Sequence, residues 1–254
     1  MGKLSAVIIT FNEEKNIRRC IESLKNVADE IVVIDSFSQD QTVAISKELG
    51  AKVIQHPFEG HIQQKNYALT QASYDHILSL DADEALTEEL TQSIQAIKAD
   101  FSYSAYTFNR KTNFCGKWIR YCGWYPDKKL RIWDRTLGKW GGTNPHDKVV
   151  MDPSTSRSHL SGDLLHYSFY TIRQHIQQIN LFTDISAQAA YEKGKRSNLG
   201  KIFFKPLFKF FQSYFLKLGI LDGYYGLVIC VNSAHAKFLK YTKLYELQKQ
   251  GEKT

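Results

Sequence analysis

The chain has 254 residues, of which 43% are hydrophobic and 23% are charged, and its formal net charge at pH 7 is +7. This composition is typical of a globular protein and excludes a disordered or fibrous chain. The length suits one main domain with an appendage and is sufficient for a sizeable core. The four cysteines form no Cys-x-x-Cys pair, and the first residues include no secretory hydrophobic stretch. We therefore expect a reducing, cytoplasmic location.

The first hundred residues alternate between patterns typical of strands and patterns typical of helices. Short β-rich runs predict strands at residues 4–9, 31–34, 52–55 and 76–80. Apolar spacing and capping residues predict helices at residues 17–24, 41–49, 63–72 and 87–97. Alternation of this kind predicts an α/β protein with a mostly parallel, doubly wound sheet.

Acidic residues follow two of these predicted strands. Asp81 and Asp83 come directly after an apolar run, and Asp35 ends the run at residues 31–34. Open α/β sheets bind ligands at the carboxyl ends of their strands, where crowded carboxylates favour Mg²⁺ or Mn²⁺ bridging to a phosphorylated ligand. The alternative is that Asp81 and Asp83 only complement the dipole of the next helix.

The phosphate-binding glycine motifs are absent from the sequence. Neither Gly-x-Gly-x-x-Gly after the first strand nor Gly-x-x-x-x-Gly-Lys-Ser/Thr occurs, so a bound nucleotide must be held differently. Thr10, Phe11, Asn12 and Glu13 follow the first strand and offer backbone amides, an aromatic face and polar acceptors for a base and a ribose. The alternative is a helix N-cap with acidic residues in its first turn.

The middle third has a different character. Residues 103–151 contain β-rich runs separated by Gly, Pro and aromatic residues, and all four tryptophans lie between Trp118 and Trp140. This pattern predicts a second, partly antiparallel layer whose rings cover the sheet. Some of these rings could instead form a stacking wall for a sugar.

The last sixty residues carry most of the excess positive charge. Seven basic residues and no acidic residue lie at positions 193–221, and Lys201, Lys205 and Lys209 recur every four residues beside a phenylalanine stripe. Such a helix fits an anionic membrane surface, where each basic residue contributes about 1 kcal/mol. The uncharged stretch at residues 223–236 is shorter than the roughly 20 residues that cross a bilayer. Alternatives are a soluble helical hairpin and, less favoured, nucleic-acid binding; we expect no nucleic-acid partner.

Taken together, the motifs resemble a known family, the inverting family 2 glycosyltransferases with the GT-A fold. The resemblance rests first on residues 7–13 (VIITFNE), 31–36 (IVVIDS), 64–69 (QKNYAL) and 78–84 (LSLDADE). Further along, residues 123–127 (GWYPD), 130–133 (LRIW), 145–149 (PHDKV) and 219–224 (GILDGY) resemble the subgroup that builds the lipopolysaccharide core.

The resemblance implies a catalytic domain at residues 1–165, with a nucleotide-binding half at 1–100 and an acceptor half at 101–165. Residues 166–254 would form a helical, basic and aromatic region that associates with the inner face of the cytoplasmic membrane. The implied reaction transfers a hexose to a lipid-linked saccharide such as the lipopolysaccharide inner core. The favoured donor is UDP-glucose, which would supply glucose. The alternatives are a polyprenyl-phosphate glycosyltransferase and a non-catalytic saccharide-binding protein of the membrane surface.

The resemblance also implies roles for individual residues. The nucleoside would contact Thr10, Phe11, Asn12, Glu13 and Asp35, the last accepting a hydrogen bond from the uracil imide. Asp83 would bind Mg²⁺ or Mn²⁺, Asp81 would contact the ribose or a metal-bound water, and Lys65 would lie near the diphosphate. A lysine there is physically sensible as a point charge, although a solvated surface lysine is the alternative.

Inverting transfer also needs a carboxylate base for the acceptor hydroxyl. Asp147 is the first candidate, because it matches a position at which the subgroup usually carries Glu after His, and Asp127 is the reserve candidate. For His146 we expect an orienting role rather than metal binding.

Overall fold

The computed structural model describes residues 2–143 and 146–251. The chain divides into two compact units. The first, here called the sheet unit, comprises the residues up to Lys111 together with Asp127–Tyr167. The second, here called the helical unit, comprises Thr112–Pro126 and the residues from Ser168 onward.

The sheet unit begins with β1 (Leu4–Thr10), α1 (Ile17–Leu24), β2 (Glu30–Asp35), α2 (Thr42–Glu48), β3 (Lys52–Gln55), α3 (His61–Gln71) and β4 (His76–Asp81). It continues with β5 (Glu84–Leu86), α4 (Glu88–Ile97) and β6 (Ala105–Phe114). The short strand β7 (Lys117–Trp118) comes next in the chain and belongs to the helical unit. The sheet unit then resumes with β8 (Asp127–Asp134), β9 (Gly138–Thr143), β10 (His146–Met151) and β11 (Arg157–Phe169). The last residues of β6 and β11 belong to the helical unit.

The main sheet has the strand order β3-β2-β1-β4-β8-β6-β11-β5. The first four strands are parallel, as the alternation of strands and helices predicts, and β8, β6 and β5 pair antiparallel with their neighbours. Along β1, Leu4, Ala6 and Ile8 pack on one face of the sheet and Val7 on the other, so both faces are covered. The predicted α/β class is confirmed.

Several strands were absent from the prediction, namely β7, β9, β11 and the short β5. Glu84–Leu86 forms β5, which pairs with β11, where the sequence predicts a direct passage from the acidic turn to a helix. Three residues are too few to show a strand period, and pairing with a distant strand leaves no local signal. The next helix is capped as predicted, because the Thr87 hydroxyl accepts a hydrogen bond from the amide of Leu90.

The helical unit contains α5 (Ile172–Glu192), α6 (Leu199–Phe211) and α7 (Gly223–Gly251), with a π-helical turn at Gln212–Leu216 and a 3₁₀ turn at Gly219–Asp222. No single helix in the described part of the chain has the length and apolarity of a membrane span. The segments Leu199–Leu216 and Gly219–Gly251, bent by 72°, meet that composition and length only as a pair.

The predicted division at residue 165 needs one correction. Thr112–Pro126 groups with the helical unit, whereas the sequence places it in the acceptor half of the catalytic domain. The physical reason is an apolar cluster that joins Phe114, Ile119 and Cys122 to Phe169 and Ile229.

Candidate active site

The acidic turn lies where the parallel strands end. β4 ends at Asp81, and the pairing of β5 with β11 sets Glu84 opposite His166. This register brings Nε2 of His166 to 3.2 Å from Oδ2 of Asp83. A carboxylate and an imidazole therefore lie side by side at the end of β4. Because Asp81 and Asp83 precede a strand, the alternative of acidic residues at a helix start is wrong.

Asp81 is held by two buried cations. Its Oδ1 lies 3.0 Å from Nζ of Lys65, and its Oδ2 lies 3.0 Å from Nη2 of Arg131. Burial alone would raise the pKa of Asp81, but Lys65 and Arg131 outweigh burial and hold that pKa well below its ordinary value. Asp81 therefore stays ionised, and both of its oxygens are committed to ion pairs.

The ion pairs continue beyond Arg131 in alternating sign. Nη2 of Arg131 also lies 2.7 Å from Glu84, whose side chain is completely buried. Arg110 lies 3.4 Å from Glu84 and 2.9 Å from Asp127, so it extends the series to the reserve candidate for the base. A buried charge is tolerated only when it is paired, and this series pairs each one.

The other end of the series is Asp147, whose Oδ2 lies 2.8 Å from Nζ of Lys65. Lys65 is almost fully buried, so the alternative of a solvated surface lysine is wrong. Its ammonium also lies 4.3 Å from the centre of the Trp140 ring. Both candidate bases are thus joined through one series, in the order Asp147, Lys65, Asp81, Arg131, Glu84, Arg110 and Asp127.

Helix α3 positions Lys65 through its two neighbours. The Gln64 amide donates to the Ser36 hydroxyl after β2, at 3.0 Å. Asn66 makes two hydrogen bonds with the backbone of Trp140, donating to its carbonyl at 2.9 Å and accepting from its amide at 3.0 Å. Three successive polar residues of α3 therefore connect the helix to the loop after β2, to the ion pairs and to β9.

The loop after β1 is fastened to the loop after β2. Asn12 adopts a left-handed backbone conformation, its amide donates to Ser38 and its side chain accepts from the Gln39 amide. The amide of Glu13 donates to the Thr42 hydroxyl. Helix α1 starts only at Ile17 and has no acidic residue in its first turn, so the N-cap interpretation of this segment is wrong.

Three exposed phenylalanines mark the ends of three adjacent parallel strands. Phe11 follows β1, Phe37 follows β2 and Phe58 follows β3, and the three residues are 57%, 50% and 52% exposed. Only Phe11 is predicted from the sequence. Exposed rings at neighbouring strand ends are suited to stacking on a base. The positive φ of Phe37 gives no warning in the sequence.

Thr10 and Asp35 present a contrast. The Thr10 hydroxyl is buried and has no hydrogen-bond partner among the described residues, so it can still bond to a ligand. Asp35 has no exposed surface, and its carboxylate accepts hydrogen bonds from the Ser38 amide, the Ser38 hydroxyl and Gln55. The predicted contact of Asp35 with the uracil imide is therefore not available in this conformation, and the carboxylate shapes the loop instead.

The pKa of Glu13 is raised by burial and, in part, by the negative charges around it. Burial raises the pKa of Glu13 to about 6; the hydrogen bond from Asn16 opposes the rise, and the negative charges of Asp83, Asp40 and Asp81 add to it. The carboxylates of the two loops are thus close enough to repel one another. A bound cation would relieve that repulsion.

The residues present fit a divalent cation that takes most of its ligands from a bound diphosphate. No group of three or more His, Cys, Asp or Glu side chains in the described residues is arranged to enclose a metal ion. Mg²⁺ in nucleotide sites typically uses one or two carboxylates together with phosphate oxygens and water. Asp83, which is 23% exposed and adjoins His166, is the carboxylate that can serve in this way.

The tryptophans divide between core and site. Trp133 is fully buried and packs edge-to-face against Trp140, with ring centres 5.9 Å apart. This arrangement supports the predicted aromatic layer over the sheet. Nε1 of Trp140 and Nε of Arg131 are buried without a hydrogen-bond partner in the described part of the chain. Both donors lie beside the ion-pair series, and Arg131 is 5.5 Å from the Trp140 ring centre.

Comparison with known proteins decides the family. Residues 5–199 match the model of the family described as glycosyl transferase family 2. The chain belongs to glycosyl transferase family 2. As a member of that family it is a glycosyltransferase, and the predicted family and GT-A fold class are confirmed.

Two curated relatives of this glycosyltransferase cover nearly its whole length. An uncharacterized glycosyltransferase of Rickettsia typhi is 32% identical over 97% of this chain and 88% of its own. The lipopolysaccharide core biosynthesis glycosyltransferase LpsC of Rhizobium meliloti is 28% identical over 96% of this chain and 92% of its own. The crystal structure of S. aureus TarS 1–349 matches 98% of this chain and 92% of its own, with 16% identity and a TM-score of 0.49.

Proposed function

We propose that this glycosyltransferase is an inverting, divalent-metal-dependent hexosyltransferase. It takes glucose from UDP-glucose and transfers it to a lipid-linked saccharide such as the lipopolysaccharide inner core, at the inner face of the cytoplasmic membrane. The observation that carries the proposal is the meeting of Asp83, His166 and the buried Lys65–Asp81 pair at the carboxyl ends of the parallel strands.

The nucleoside would bind over the loops that follow β1, β2 and β3. Phe11, Phe37 and Phe58 offer exposed faces to the base, and the unpartnered Thr10 hydroxyl offers a hydrogen bond. Asn12 and Asp35 hold these loops in place through Ser38 rather than facing the ligand. This division of roles explains why several polar residues of one motif are needed for a single pocket.

The diphosphate would lie against Asp83 and Lys65. Mg²⁺ or Mn²⁺, when bound, acts as a Lewis acid on the leaving diphosphate. Asp83 would hold the ion, with His166 as a second ligand or as the hydrogen-bond partner that orients Asp83. Lys65 supplies a buried positive charge, and its electrostatic interactions are stronger there than in water because the ammonium is shielded from solvent.

Asp147 is the better candidate for the base. Its Oδ2 is bound to Lys65, but its Oδ1 has no partner among the described residues and can accept a proton from an acceptor hydroxyl. Both oxygens of Asp127 are occupied, Oδ2 by Arg110 and Oδ1 by Lys129. An oxygen that already accepts charged hydrogen bonds is a poor proton acceptor, so the reserve candidate fits a positioning role.

The membrane location is proposed from α6. Six of its apolar residues are at least half exposed and share one face, at positions 199, 203, 204, 207, 208 and 211. Lys201 and Lys205 lie next to that face, on one side of it. An apolar face bordered by lysines is the pattern of a helix that lies in the membrane interface. A soluble hairpin would bury these rings, so their exposure favours the membrane over that alternative.

Donor binding tests the metal and the nucleotide together. Calorimetry with UDP and Mn²⁺ should show Asp83→Ala weakening binding by more than the roughly 10- to 100-fold that loss of a supporting partner costs, and His166→Ala weakening it by roughly that amount. Asp75→Asn, at the opposite end of β4, is the matched control and should leave binding unchanged. Unchanged binding in Asp83→Ala would refute the site.

Acceptor assays then separate the candidate reactions. The purified protein is supplied with Mn²⁺ and UDP-glucose, and either a lipopolysaccharide core lacking its outer sugars or a polyprenyl phosphate. Transfer to a sugar hydroxyl supports the proposal, whereas transfer to the lipid phosphate supports the polyprenyl-phosphate alternative. Donor binding with no transfer to any acceptor would favour the non-catalytic saccharide-binding protein.

A further inference from the structure

A pocket of about 350 Å³ lies within the helical unit, and none of the residues that line it is assigned to transfer. Its lining consists of Arg120, Tyr121, Gly123, Tyr125, Pro126, Leu216, Lys217 and Leu218. One wall is the loop before β8, and the other is the end of the π-helical turn. The lining contains two cationic side chains, two tyrosines and no acidic residue.

The two walls are fastened together by backbone groups. The amide of Cys122 donates to the carbonyl of Lys217 at 3.0 Å. The buried carboxylate of Asp222 accepts from the amides of Tyr121, at 2.8 Å, and of Arg120, at 3.3 Å. The pocket is therefore a built feature of the fold, because its walls are set by main-chain hydrogen bonds rather than by the side chains that line it.

Glycines permit the close approach behind the pocket. A Cβ on Gly226 would lie 2.0 Å from the carbonyl oxygen of Gly219, and a Cβ on Gly219 would lie 2.6 Å from the sulfur of Cys230. Neither position accepts a side chain without movement of the backbone. The motif at residues 219–224 thus serves to place Asp222 against the loop at residues 120–122.

The charge of the pocket is uncompensated. Arg120 and Lys217 have no ion pair in the described part of the chain, and the carboxylate of Asp222 is committed to the backbone amides of Arg120 and Tyr121. Burial and the positive charges of Lys217 and Lys237 lower the pKa of Lys209. The cations of this region therefore repel one another, and an anion would relieve that repulsion.

The rim of the pocket is apolar. Leu216 and Leu218 line the pocket, Ile220 and Leu221 follow them in the chain, and all four are about half exposed or more. Cationic and aromatic groups in a recess, with exposed aliphatic side chains around it, match a ligand that has an anionic head and a hydrocarbon body. A free anion would account for the cations but not for the aliphatic rim.

We propose that this pocket binds the phosphate group of a membrane lipid, with Arg120 and Lys217 contacting the phosphate oxygens and the leucine rim contacting the acyl region. This inference rests on the proposed membrane location of the protein and does not depend on the proposed donor, acceptor or base. Guanidinium and ammonium groups form charge-assisted hydrogen bonds with phosphate, and a phosphate ester offers several acceptor oxygens to two converging cations.

Vesicle binding with two charge-matched double variants tests the proposal. Arg120→Ala/Lys217→Ala removes the two pocket cations, and Lys201→Ala/Lys205→Ala removes two cations of α6 outside the pocket. Each is measured on phosphatidylcholine vesicles that carry either phosphatidic acid or, at the same surface charge, oleate. The oleate vesicles offer carboxylate in place of phosphate, so they report attraction to the surface charge alone.

The unmodified protein should prefer the phosphatidic acid vesicles, and the pocket variant should lose that preference, with affinity for them falling at least about tenfold. The α6 variant should bind both vesicle types more weakly and keep the preference. Equal losses in the two variants, or a preference that persists in the pocket variant, would overturn the proposal and leave only general surface attraction.

Two further arms distinguish the source of the phosphate and guard against misfolding. Inorganic phosphate should compete for the pocket only weakly; if it saturates the pocket while vesicle binding is unchanged, the ligand is free phosphate and the proposal fails. Calorimetry with UDP and Mn²⁺ should be unchanged in the pocket variant, which separates this site from the donor site. Lys217→Gln, a milder change, should lose part of the same preference, and full retention would count against the pocket.

Discussion

The sheet unit and the helical unit treat charge in opposite ways. In the sheet unit, seven charged side chains from Asp147 to Asp127 alternate in sign, and the inner members are buried. In the helical unit, Arg120, Lys217, Lys201 and Lys205 are exposed and have no acidic partner among the residues that the structure describes. Buried charge requires a partner within the protein, whereas exposed and uncompensated charge is free to bind an external anion. The first arrangement suits the chemistry of a small donor, and the second suits a surface.

The largest expected effect is on the reaction rate at one end of the ion-pair series. Asp147→Asn should lower kcat by roughly 10²- to 10⁴-fold, because the proton acceptor is lost, and should change the affinity for UDP and Mn²⁺ far less, because the Asn oxygen can still accept a hydrogen bond from Lys65. Asp127→Asn is the comparison, since both oxygens of Asp127 are occupied by cations. Steady-state kinetics with a saccharide acceptor measures both. A larger loss of kcat in Asp127→Asn would reverse the assignment of the base.

The middle of the series should matter most for stability. Arg131→Met leaves Glu84 buried without its closest partner, so the free energy of unfolding should fall by about 3–5 kcal/mol. Adding Glu84→Gln to this variant removes the orphaned charge and should recover part of the loss. Denaturant unfolding measures both variants. If the double variant is no more stable than the single one, the cost does not come from unpaired charge.

The raised pKa of Glu13 predicts that the stability of the sheet unit depends on pH. Its pKa is about 6 in the folded protein against an ordinary value of 4.5, so ionisation above pH 6 opposes folding. Glu13→Gln should therefore raise the free energy of unfolding by up to about 2 kcal/mol at pH 8 and make no difference below pH 4. Glu14→Gln, at an exposed neighbour, is the control for the loss of one negative charge from this loop.

A second measurement on Glu13 reports the metal. UDP with Mn²⁺ should lower the pKa of Glu13, because a bound cation offsets the charges of Asp83 and Asp81 that help to raise it. The titration can be followed from the pH dependence of unfolding or by NMR of a labelled glutamate. A pKa that stays at its original value in the presence of saturating UDP and Mn²⁺ would contradict a cation at Asp83.

The smallest effect on stability is expected on α6. Phe204→Ala and Phe208→Ala should change the free energy of unfolding by no more than about 0.5 kcal/mol, since both rings are largely exposed, yet each should weaken binding to anionic vesicles. Phe114→Ala, in the buried cluster of the same unit, should cost about 3–5 kcal/mol. A large stability loss at Phe204 would show that its ring packs against protein and would favour the soluble hairpin.

The sequence predicts what is local and periodic. The parallel strands, their helices and the acidic residues at the strand ends follow from hydrophobic spacing and position, and so does the amphipathic character of α6. Lys65 is identified by its motif, but its burial between Asp81 and Asp147 depends on three separate elements meeting. Arg131 does leave a signal, because it is a charged residue inside an apolar strand run.

Other parts of the site leave no such trace. His166 reaches Asp83 only through the pairing of β5 with β11. β5 has three residues, which is too short for a hydrophobic pattern to predict it. Phe37 and Phe58 become notable only once their exposure and their common edge of the sheet are known. The burial of Asp35 depends on Ser38 and Gln55 closing over it, and a motif match alone does not separate a residue that contacts a ligand from one that supports its neighbours.

The pair of hydrogen bonds between Asn66 and the backbone of Trp140 has an evolutionary consequence. Because the strand is fixed through its main chain, the position of β9 against α3 does not depend on the side chain at position 140. That side chain is a buried ring that packs on Trp133 and on the ammonium of Lys65, so a change at this position would alter the surroundings of Lys65 while the strand stays in place. Descendants of this protein could therefore adjust the reacting groups through one ring without rebuilding the backbone that carries it.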